Sequence, residues 1–202
     1  MMQGLAALVL AGGAARRIGG ADKPLLELAG RHILTRILDA LATETPTIAI
    51  SANGDAARFS PFGRPVLADG DFVGQGPLAG VLAGLEWAAT LGATTLLTIP
   101  GDTPFIPPGL AAALAPAPSC AASLGRVHHL VALWPVAARA ALRAHLAAPG
   151  PRDVASFAAS LPMRPVDFPC NSGDPFFNVN TPADLATARH IATPGTSPPK
   201  QA

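Results

Sequence analysis

The chain has 202 residues, of which 50% are hydrophobic and 13% are charged, and its formal net charge at pH 7 is +1. This length suits a single α/β domain, and a net charge near zero gives no bulk electrostatic attraction to nucleic acid or to an acidic membrane surface. The two cysteines lack metal-ligand spacing and no signal peptide is recognisable, which predicts a reduced, cytoplasmic protein.

Buried strands and amphipathic helices alternate along the chain. The pattern predicts, in chain order, a strand at 5–10, a helix at 33–41, strands at 47–53 and 64–69, a helix at 77–91, strands at 94–102 and 130–135, and helices at 136–146 and 182–191. Thr181 is the predicted N-cap of the last helix. This alternation is typical of a mostly parallel sheet with helices on both faces, in which ligands bind beyond the carboxyl ends of the strands.

The most apolar stretch, residues 78–101, is long enough to cross a bilayer. Glu86 and Trp87 lie within it, and Gly92 divides it into a helix-like part and a β-rich part. A helix, a turn and a buried strand therefore fit this stretch better than a membrane span, and no membrane association is expected.

The first predicted strand runs into a loop that combines glycines with cations, LVLAGGAARRIGGADK at residues 8–23. The glycines allow backbone N–H groups to converge on an anion, and the cations are suited to a polyphosphate. The residues concerned are Gly12, Gly13, Gly19, Gly20, Arg16, Arg17 and Lys23. The loop matches neither the P-loop nor the dinucleotide-binding pattern. An ordinary strand-to-helix turn with solvated cations is the alternative interpretation.

Lys23 stands out because Lys200 is the only other lysine in the chain, which otherwise uses arginine for its positive charges. An ammonium is compact and a guanidinium is broad and planar, so the two are not interchangeable at a tight site. The retained lysine suggests a site that needs the smaller cation.

Polar residues follow the other predicted strands: Ser51 and Asn53, Asp69 and Asp71, and Asp102. Asp102 ends an apolar strand in IPGDTPFIPP, where a carboxylate is costly unless water or a metal ion solvates it. Mg²⁺ binds through one or two protein carboxylates together with substrate phosphates. A metal-binding aspartate beside a cationic loop suits nucleotidyl transfer, whereas capping of a following helix is the alternative role for Asp102.

Five segments, in this order, resemble the molybdenum cofactor guanylyltransferases. They are LVLAGGAARRIGGADKPLLEL at 8–28, GPLAGVLAGL at 76–85, PGDTPFIP at 100–107, LVALWP at 130–135 and FFNVNTPADL at 176–185. The first is similar to the family pattern LAGG-x-x-x-R-M-G-x-D-K, with Ile18 in place of the usual Met and an additional Gly20. Residues 71–75 form a variable insert.

The resemblance implies a Rossmann-like, GT-A-like nucleotidyltransferase fold, in which GMP is transferred from GTP to Mo-molybdopterin with Mg²⁺ as cofactor and pyrophosphate as leaving group. It implies catalytic roles for Lys23, Arg16 and Asp102, with Asp102 as the metal ligand. The implied ligand-binding residues are Leu10, Ala11 and Gly12 at the guanine and ribose; Gly13, Arg16, Arg17 and Lys23 at the phosphates; Ser51, Asn53 and Asp69 at the nucleoside; and Asn178 and Asn180 at the pterin. Ser51 stands where the family often has Asn.

The single domain that the length predicts spans 1–192, and the resemblance implies that it has a GTP-binding half at about 1–105 and a pterin-side half at about 106–192. The content of Pro, Ser and Thr predicts a disordered tail at 193–202. The expected partners are the two substrates and, transiently, molybdopterin-loading and molybdoenzyme-maturation proteins. A cytidylyltransferase or sugar-phosphate nucleotidyltransferase is the nearest alternative; in the family LAGG accompanies guanine and LAAG cytosine, so Gly12 favours GTP. A non-catalytic nucleotide carrier is the alternative from another class.

Overall fold

The computed structural model describes residues 3–12, 22–171 and 173–193. The strands among these residues are β1 (Leu5–Leu10), β2 (Glu27–Leu28), β3 (Arg31–His32), β4 (Ile48–Ser51), β5 (Val66–Leu67), β6 (Thr95–Pro100), β7 (Ser119–Ser123), β8 (Arg126–Pro135) and β9 (Arg164–Asp167). The helices are α1 (Ile33–Glu44), α2 (Pro77–Thr90), α3 (Leu110–Leu114), α4 (Arg139–Ala147), α5 (Val154–Ser160) and α6 (Pro182–Ala192).

Seven of the strands form one sheet in the spatial order β5-β4-β1-β6-β8-β7-β9, and β2 and β3 form a separate hairpin. β8 runs antiparallel to both of its neighbours, and the remaining neighbours in the sheet pair in parallel. The register aligns Leu10 at the end of β1 with Ser51 of β4 and with Pro100 of β6. The carboxyl ends of these strands therefore meet at one edge of the sheet, where a ligand site is expected.

Strand β1 is central, and its side chains are buried on both faces of the sheet. Ala7 and Val9 pack with α1, α3 and α6 on one face, whereas Ala6 and Leu8 pack with α2, α4 and α5 on the other. This arrangement follows from the two-residue period of a strand, which sends successive side chains to opposite faces. The predicted fold class, a mostly parallel sheet covered by helices on both faces, is confirmed.

Helix α2 packs closely against the sheet because two of its glycines face the strands. A Cβ atom at Gly84 would lie 2.5 Å from Leu8 Cδ2 and 2.9 Å from Leu96 Cδ2, and a Cβ atom at Gly80 would collide with Ser51 Oγ. Small residues one turn apart thus bring the helix onto β1 and β4, and they place its N-terminus at the edge where the strands end.

The sequence-based boundaries differ from the structure mainly in the second half of the chain. The strand predicted at 130–135 is part of the longer β8, and the helix predicted at 136–146 begins as a 3₁₀ turn at Val136–Ala138 before α4. The β2–β3 hairpin in the first half, and β7, β9, α3 and α5 in the second, were not predicted. Thr181 does cap α6, in a capping box with Asp184. No helix formed by the described residues combines the length and the apolar character that crossing a bilayer requires.

Candidate active site

A cleft of about 560 Å³ opens at the carboxyl edge of the parallel strands. It is lined by four strand ends, the turn that contains Lys23, the N-terminus of α2, and the C-terminal segment, residues 178–180. Of the predicted site residues, the following lie in its wall: Leu10, Ala11, Gly12, Lys23, Ser51, Asn53, Asp69, Asp102 and Asn178. Asn180 joins them through its contact with Lys23. Gly13, Arg16 and Arg17 are outside the described residues, and the individual roles of all these residues stay predictions.

Lys23 lies at the centre of this arrangement, at the start of a 3₁₀ turn that follows the glycine-rich loop. Its Nζ atom donates to Asp102 Oδ2 at 3.2 Å and to Asn180 Oδ1 at 2.5 Å. The Lys23 and Asp102 side chains are only 16% and 19% exposed. Because both charges are largely removed from water, each depends on the other, and removing either one would leave an uncompensated charge.

The close approach of Asp102 to Lys23 depends on Gly101. A Cβ atom at this position would lie 2.8 Å from Pro24 Cγ and 3.1 Å from the Leu10 carbonyl oxygen. The Gly101 N–H donates to that same carbonyl at 2.9 Å, which continues the β1–β6 pairing into the loop. Asp102 does not cap a helix, because the next helix, α3, begins at Leu110 with Gly109 as its N-cap. The alternative role considered for Asp102 is therefore wrong.

Asn53 and Asp69 form a reciprocal pair on the opposite side of the cleft. Asn53 Nδ2 donates to Asp69 Oδ2 at 2.6 Å, and the Asp69 backbone N–H donates to Asn53 Oδ1 at 3.0 Å. Two hydrogen bonds between the same residues fix the orientation of both side chains. They create a preorganised polar wall beside Gly12, at which a Cβ atom would lie 3.7 Å from Asn53 Nδ2.

The C-terminal segment returns across the sheet to complete the cleft. The Val179 N–H donates to the Asp102 carbonyl at 2.9 Å, and Thr103 Oγ1 donates to Asn178 Oδ1 at 3.1 Å. These two hydrogen bonds attach the C-terminal segment, which contains Asn178 and Asn180, to the loop after β6. The sequence predicted neither the role of Thr103 nor the backbone contact of Val179. A hydroxyl group that orients an amide, and a hydrogen bond between distant parts of the backbone, leave no recognisable sequence motif.

Asp184 anchors the same segment from the other end. Its Oδ2 accepts the N–H groups of Asn180 at 3.0 Å and of Thr181 at 2.8 Å, while Thr181 Oγ1 accepts the Asp184 N–H at 3.1 Å. Burial acts to raise the pKa of Asp184. Hydrogen bonds from Thr181 and Asn180, together with the positive charge of Lys23, outweigh it, so that the pKa lies below its ordinary value.

A second polar cluster lies where β7 meets β8. Ser123 Oγ donates to Asp174 Oδ1 at 2.7 Å and lies 2.7 Å from His128 Nε2. The His128 ring packs on Phe176 with a centroid separation of 5.2 Å. Burial lowers the pKa of His128, although Asp174 opposes this effect. The cluster holds the loop before Phe176, and nothing in the sequence indicated Ser123 or Asp174.

The carboxylates of the cleft restrict how a metal ion could bind. Within residues 3–12, 22–171 and 173–193, no three His, Cys, Asp or Glu side chains come together in a group able to hold a metal ion. A divalent cation at Asp102 would therefore take most of its ligands from water and a bound substrate. That requirement fits Mg²⁺, which binds few protein carboxylates and takes phosphate oxygens as ligands.

Comparisons with known proteins agree with this geometry. A family model described as the MobA-like NTP transferase domain matches residues 7–162. A molybdenum cofactor guanylyltransferase of Acidiphilium cryptum (strain JF-5) is 56% identical over 184 residues, which cover 91% of this chain and 93% of the relative. Another, from Rhodopseudomonas palustris (strain BisB5), is 48% identical over 195 residues, covering 92% and 93%.

Solved structures show the same fold at lower sequence identity. The molybdopterin-guanine dinucleotide biosynthesis protein A of Archaeoglobus fulgidus superposes with a TM-score of 0.70 at 22% identity, covering 92% of this chain and 97% of that one. A nucleotidyl transferase from Methanothermobacter thermautotroptrophicus gives a TM-score of 0.71 at 18% identity, covering 93% and 97%.

Proposed function

The chain belongs to the MobA-like NTP transferase family, and on that premise we propose that it transfers GMP from GTP to Mo-molybdopterin, forming molybdopterin guanine dinucleotide and pyrophosphate. The observation that carries the proposal is the position of Lys23, whose ammonium contacts Asp102 at 3.2 Å and Asn180 at 2.5 Å. Lys23 thus contacts both parts of the site: Asp102, at the strand ends suited to a nucleotide, and Asn180, in the segment expected to face the pterin.

The reaction needs positioning and charge neutralisation more than it needs acid–base chemistry. An oxygen of the terminal phosphate of the pterin attacks the α-phosphorus of GTP in line, and the bond from that phosphorus to the oxygen shared with the β-phosphate breaks. Because the nucleophile is already an anion, neither a strong base nor a covalent enzyme intermediate is required. Two mutually repelling phosphates must be held together, and preorganised cations lower the cost of doing so.

Lys23 is suited to this task because its position is fixed before substrate binds. Asp102 and Asn180 hold the ammonium at a wall of the cleft, so little reorganisation is needed when the phosphates arrive. We assign Gly13, Arg16 and Arg17 to the same phosphates, from the loop that precedes Lys23 in the chain.

Asp102 is the residue we propose to hold Mg²⁺. When bound, the ion would neutralise phosphate charge and strengthen pyrophosphate as a leaving group. The side chain of Asp102 keeps 19% of its surface exposed, which fits a carboxylate able to bind both Lys23 and a metal ion carried in by the substrate.

The guanine and ribose are assigned to Leu10, Ala11 and Gly12 together with Ser51, Asn53 and Asp69. The hydrogen-bonded pair Asn53–Asp69 offers fixed polar atoms beside the glycine of LAGG. Asn178 and Asn180 are assigned to the pterin, in keeping with a nucleotide half at about 1–105 and a pterin half at about 106–192. Free thiols at Cys120 and Cys170 support a reducing, cytoplasmic location.

Transient docking with proteins that deliver molybdopterin or receive the finished cofactor completes the proposal. The test is pyrophosphate release by the purified protein with Mg²⁺ and molybdopterin, offering GTP, CTP, ATP and UTP in parallel. Release with GTP alone is expected. Release with CTP alone would contradict the base assignment, and GTP binding without release from any nucleotide would favour a carrier.

A further inference from the structure

Arg58 lies outside the wall of the cleft, in a 3₁₀ helix at Ala56–Phe62 that no assigned step uses. Its guanidinium nevertheless contacts one residue of that wall, Asn53, and also Asp22, the chain neighbour of a second wall residue, Lys23. Nη2 donates to the Asn53 carbonyl at 2.8 Å, and Nη1 donates to the Asp55 carbonyl at 2.8 Å. Nε lies 2.7 Å from Asp22 Oδ2, an ion pair that lacks the orientation of a hydrogen bond.

The surroundings of Arg58 hold the guanidinium in one place. Its side chain is 28% exposed, and that of Asp22 is 31% exposed. The guanidinium carbon lies 4.7 Å from the centroid of the Phe59 ring, and Phe59 itself is fully buried. Gly54, with a φ of 81°, lets the chain turn so that the carbonyls on either side of it face the same cation.

The two partners of Arg58 belong to different parts of the site. Asp22 immediately precedes Lys23, so its position constrains the cation assigned to the phosphates. Asn53 is paired with Asp69 and belongs to the wall assigned to the nucleoside. The planar fork of an arginine can contact several acceptors at fixed angles, whereas an ammonium cannot.

We infer that Arg58 is a positioning residue that couples the nucleoside wall, through Asn53, to the phosphate-binding cation, through Asp22. The inference rests on the proposed function, because it requires GTP to occupy the cleft. When the base is bound, Arg58 holds the turn of Lys23 at the correct distance for the triphosphate. Neither Arg58 nor Asp22 needs to touch the substrate.

Two ligands separate the two contacts: GTP reports on both parts of the site, and guanosine reports on the nucleoside wall alone. Asp22→Asn should weaken GTP binding by about tenfold and leave guanosine binding unchanged. Arg58→Ala should weaken GTP binding at least as much and also weaken guanosine binding several-fold. The double variant should bind GTP no more weakly than Arg58→Ala, because both changes break the same ion pair.

The sign of the Asp22 effect distinguishes positioning from simple electrostatics. Removing a carboxylate near a triphosphate should by charge alone tighten GTP binding. GTP binding by Asp22→Asn that equals or exceeds that of the wild type would overturn the inference, as would additive effects in the double variant. Arg64→Ala is the matched control: it removes an arginine from the same region whose hydrogen bond goes to the Pro46 carbonyl, and GTP binding should be unaffected.

A second variant and the wild type complete the test. Arg58→Lys keeps the positive charge but lacks the planar guanidinium that contacts several acceptors at once. It should therefore show the same loss of GTP affinity as Arg58→Ala. Full GTP affinity in Arg58→Lys would overturn the inference. Wild-type protein that binds GTP but forms no dinucleotide would contradict the proposed function alone, since the coupling is measured by binding. Wild-type protein that binds no GTP would contradict both.

Discussion

Lys23 contacts residues that are 79 and 157 positions away in the sequence, Asp102 and Asn180. Its side chain is 16% exposed, so the ammonium has little freedom to move and its neighbours define a small space. A compact cation suits this space, which gives the scarcity of lysine in the chain a physical explanation.

Replacing Lys23 with arginine tests that explanation. The guanidinium is too broad to occupy the Nζ position while keeping both contacts, so Lys23→Arg should lower kcat by roughly tenfold or more although the charge is unchanged. Steady-state pyrophosphate release measures the effect. Lys200→Arg, at the only other lysine, is the control. Equal kcat values for Lys23→Arg and the wild type would show that a compact charge is not required.

The sequence predicted the positions of some site residues but not the contacts that others make. Asp69 and Asp102 could be placed at one edge because they follow strands, and parallel strands bring their carboxyl ends together. The partners of Lys23 could not be predicted in the same way. Its contact with Asn180 arises only when the C-terminal segment folds back, and no local pattern encodes that return.

At the scale of elements, the start of α6 links helix stability to the active site. Asp184 accepts the Asn180 N–H at 3.0 Å as part of the capping box, and Asn180 contacts Lys23. Asp153 caps α5 in a comparable way, accepting the Ser156 N–H at 2.8 Å, but α5 has no residue in the cleft wall. The starts of α5 and α6 can therefore be compared directly: both are stabilised by an aspartate, but only α6 is connected to Lys23.

Alanine at each position should separate the two roles. Asp184→Ala and Asp153→Ala should each lower Tm by about 2–4 °C, since each removes a carboxylate that accepts backbone N–H groups at the start of a helix. Only Asp184→Ala should also lower kcat, because it frees the backbone of Asn180. Thermal melts and turnover measured on the same preparations give both quantities. An equal kcat for both variants would contradict the link between the cap and Lys23.

Asp184 also affects how the stability of the fold changes at acid pH. The pKa of Asp184 is lowered in the fold, by hydrogen bonds and Lys23 that outweigh the opposing effect of burial. A depressed carboxyl pKa contributes stability above its unfolded value of about 4, and this contribution is lost as the pH falls through the folded value. Asp184→Asn should therefore show a shallower loss of stability between about pH 5 and pH 2 in denaturant melts. A slope identical to that of the wild type would refute this.

Elements were predictable where hydrophobic pattern and length agreed. β1, α1 and α2 follow apolar runs or helical spacing, and their bounds lie within a few residues of those expected. β7 (SCAAS) consists of small residues without a strand-like pattern, and β9 (RPVD) contains a proline, so neither gave a clear signal. The antiparallel direction of β8 depends on the connection between β7 and β8, which a pattern of apolar residues does not reveal.

At the scale of the whole molecule, the fold class followed from the alternation of buried strands and helices, because that order leaves few other packings. The cleft joins residues from Leu10 to Asn180, so substrate binding should stabilise the fold as a unit. Of the disordered tail predicted at 193–202, residues 194–202 lie outside the described residues.

Ligand-induced stabilisation can be read from thermal melts with Mg²⁺. GTP at about 100 times its Kd should add about 2.7 kcal/mol, which corresponds to a rise in Tm of roughly 5–10 °C for a chain of this size. CTP at the same concentration should give little change. Equal shifts with both nucleotides would contradict the guanine assignment while leaving the phosphate site intact.

The most direct test of guanylyl transfer at this cleft is pyrophosphate release from GTP and molybdopterin by wild-type protein and by Asp102→Asn in Mg²⁺. The amide keeps the shape of the carboxylate but removes the charge that Lys23 and the metal ion need. We predict release by the wild type and a loss of at least about 100-fold in the variant, with weak GTP binding retained. Release by Asp102→Asn at the wild-type rate would contradict the account.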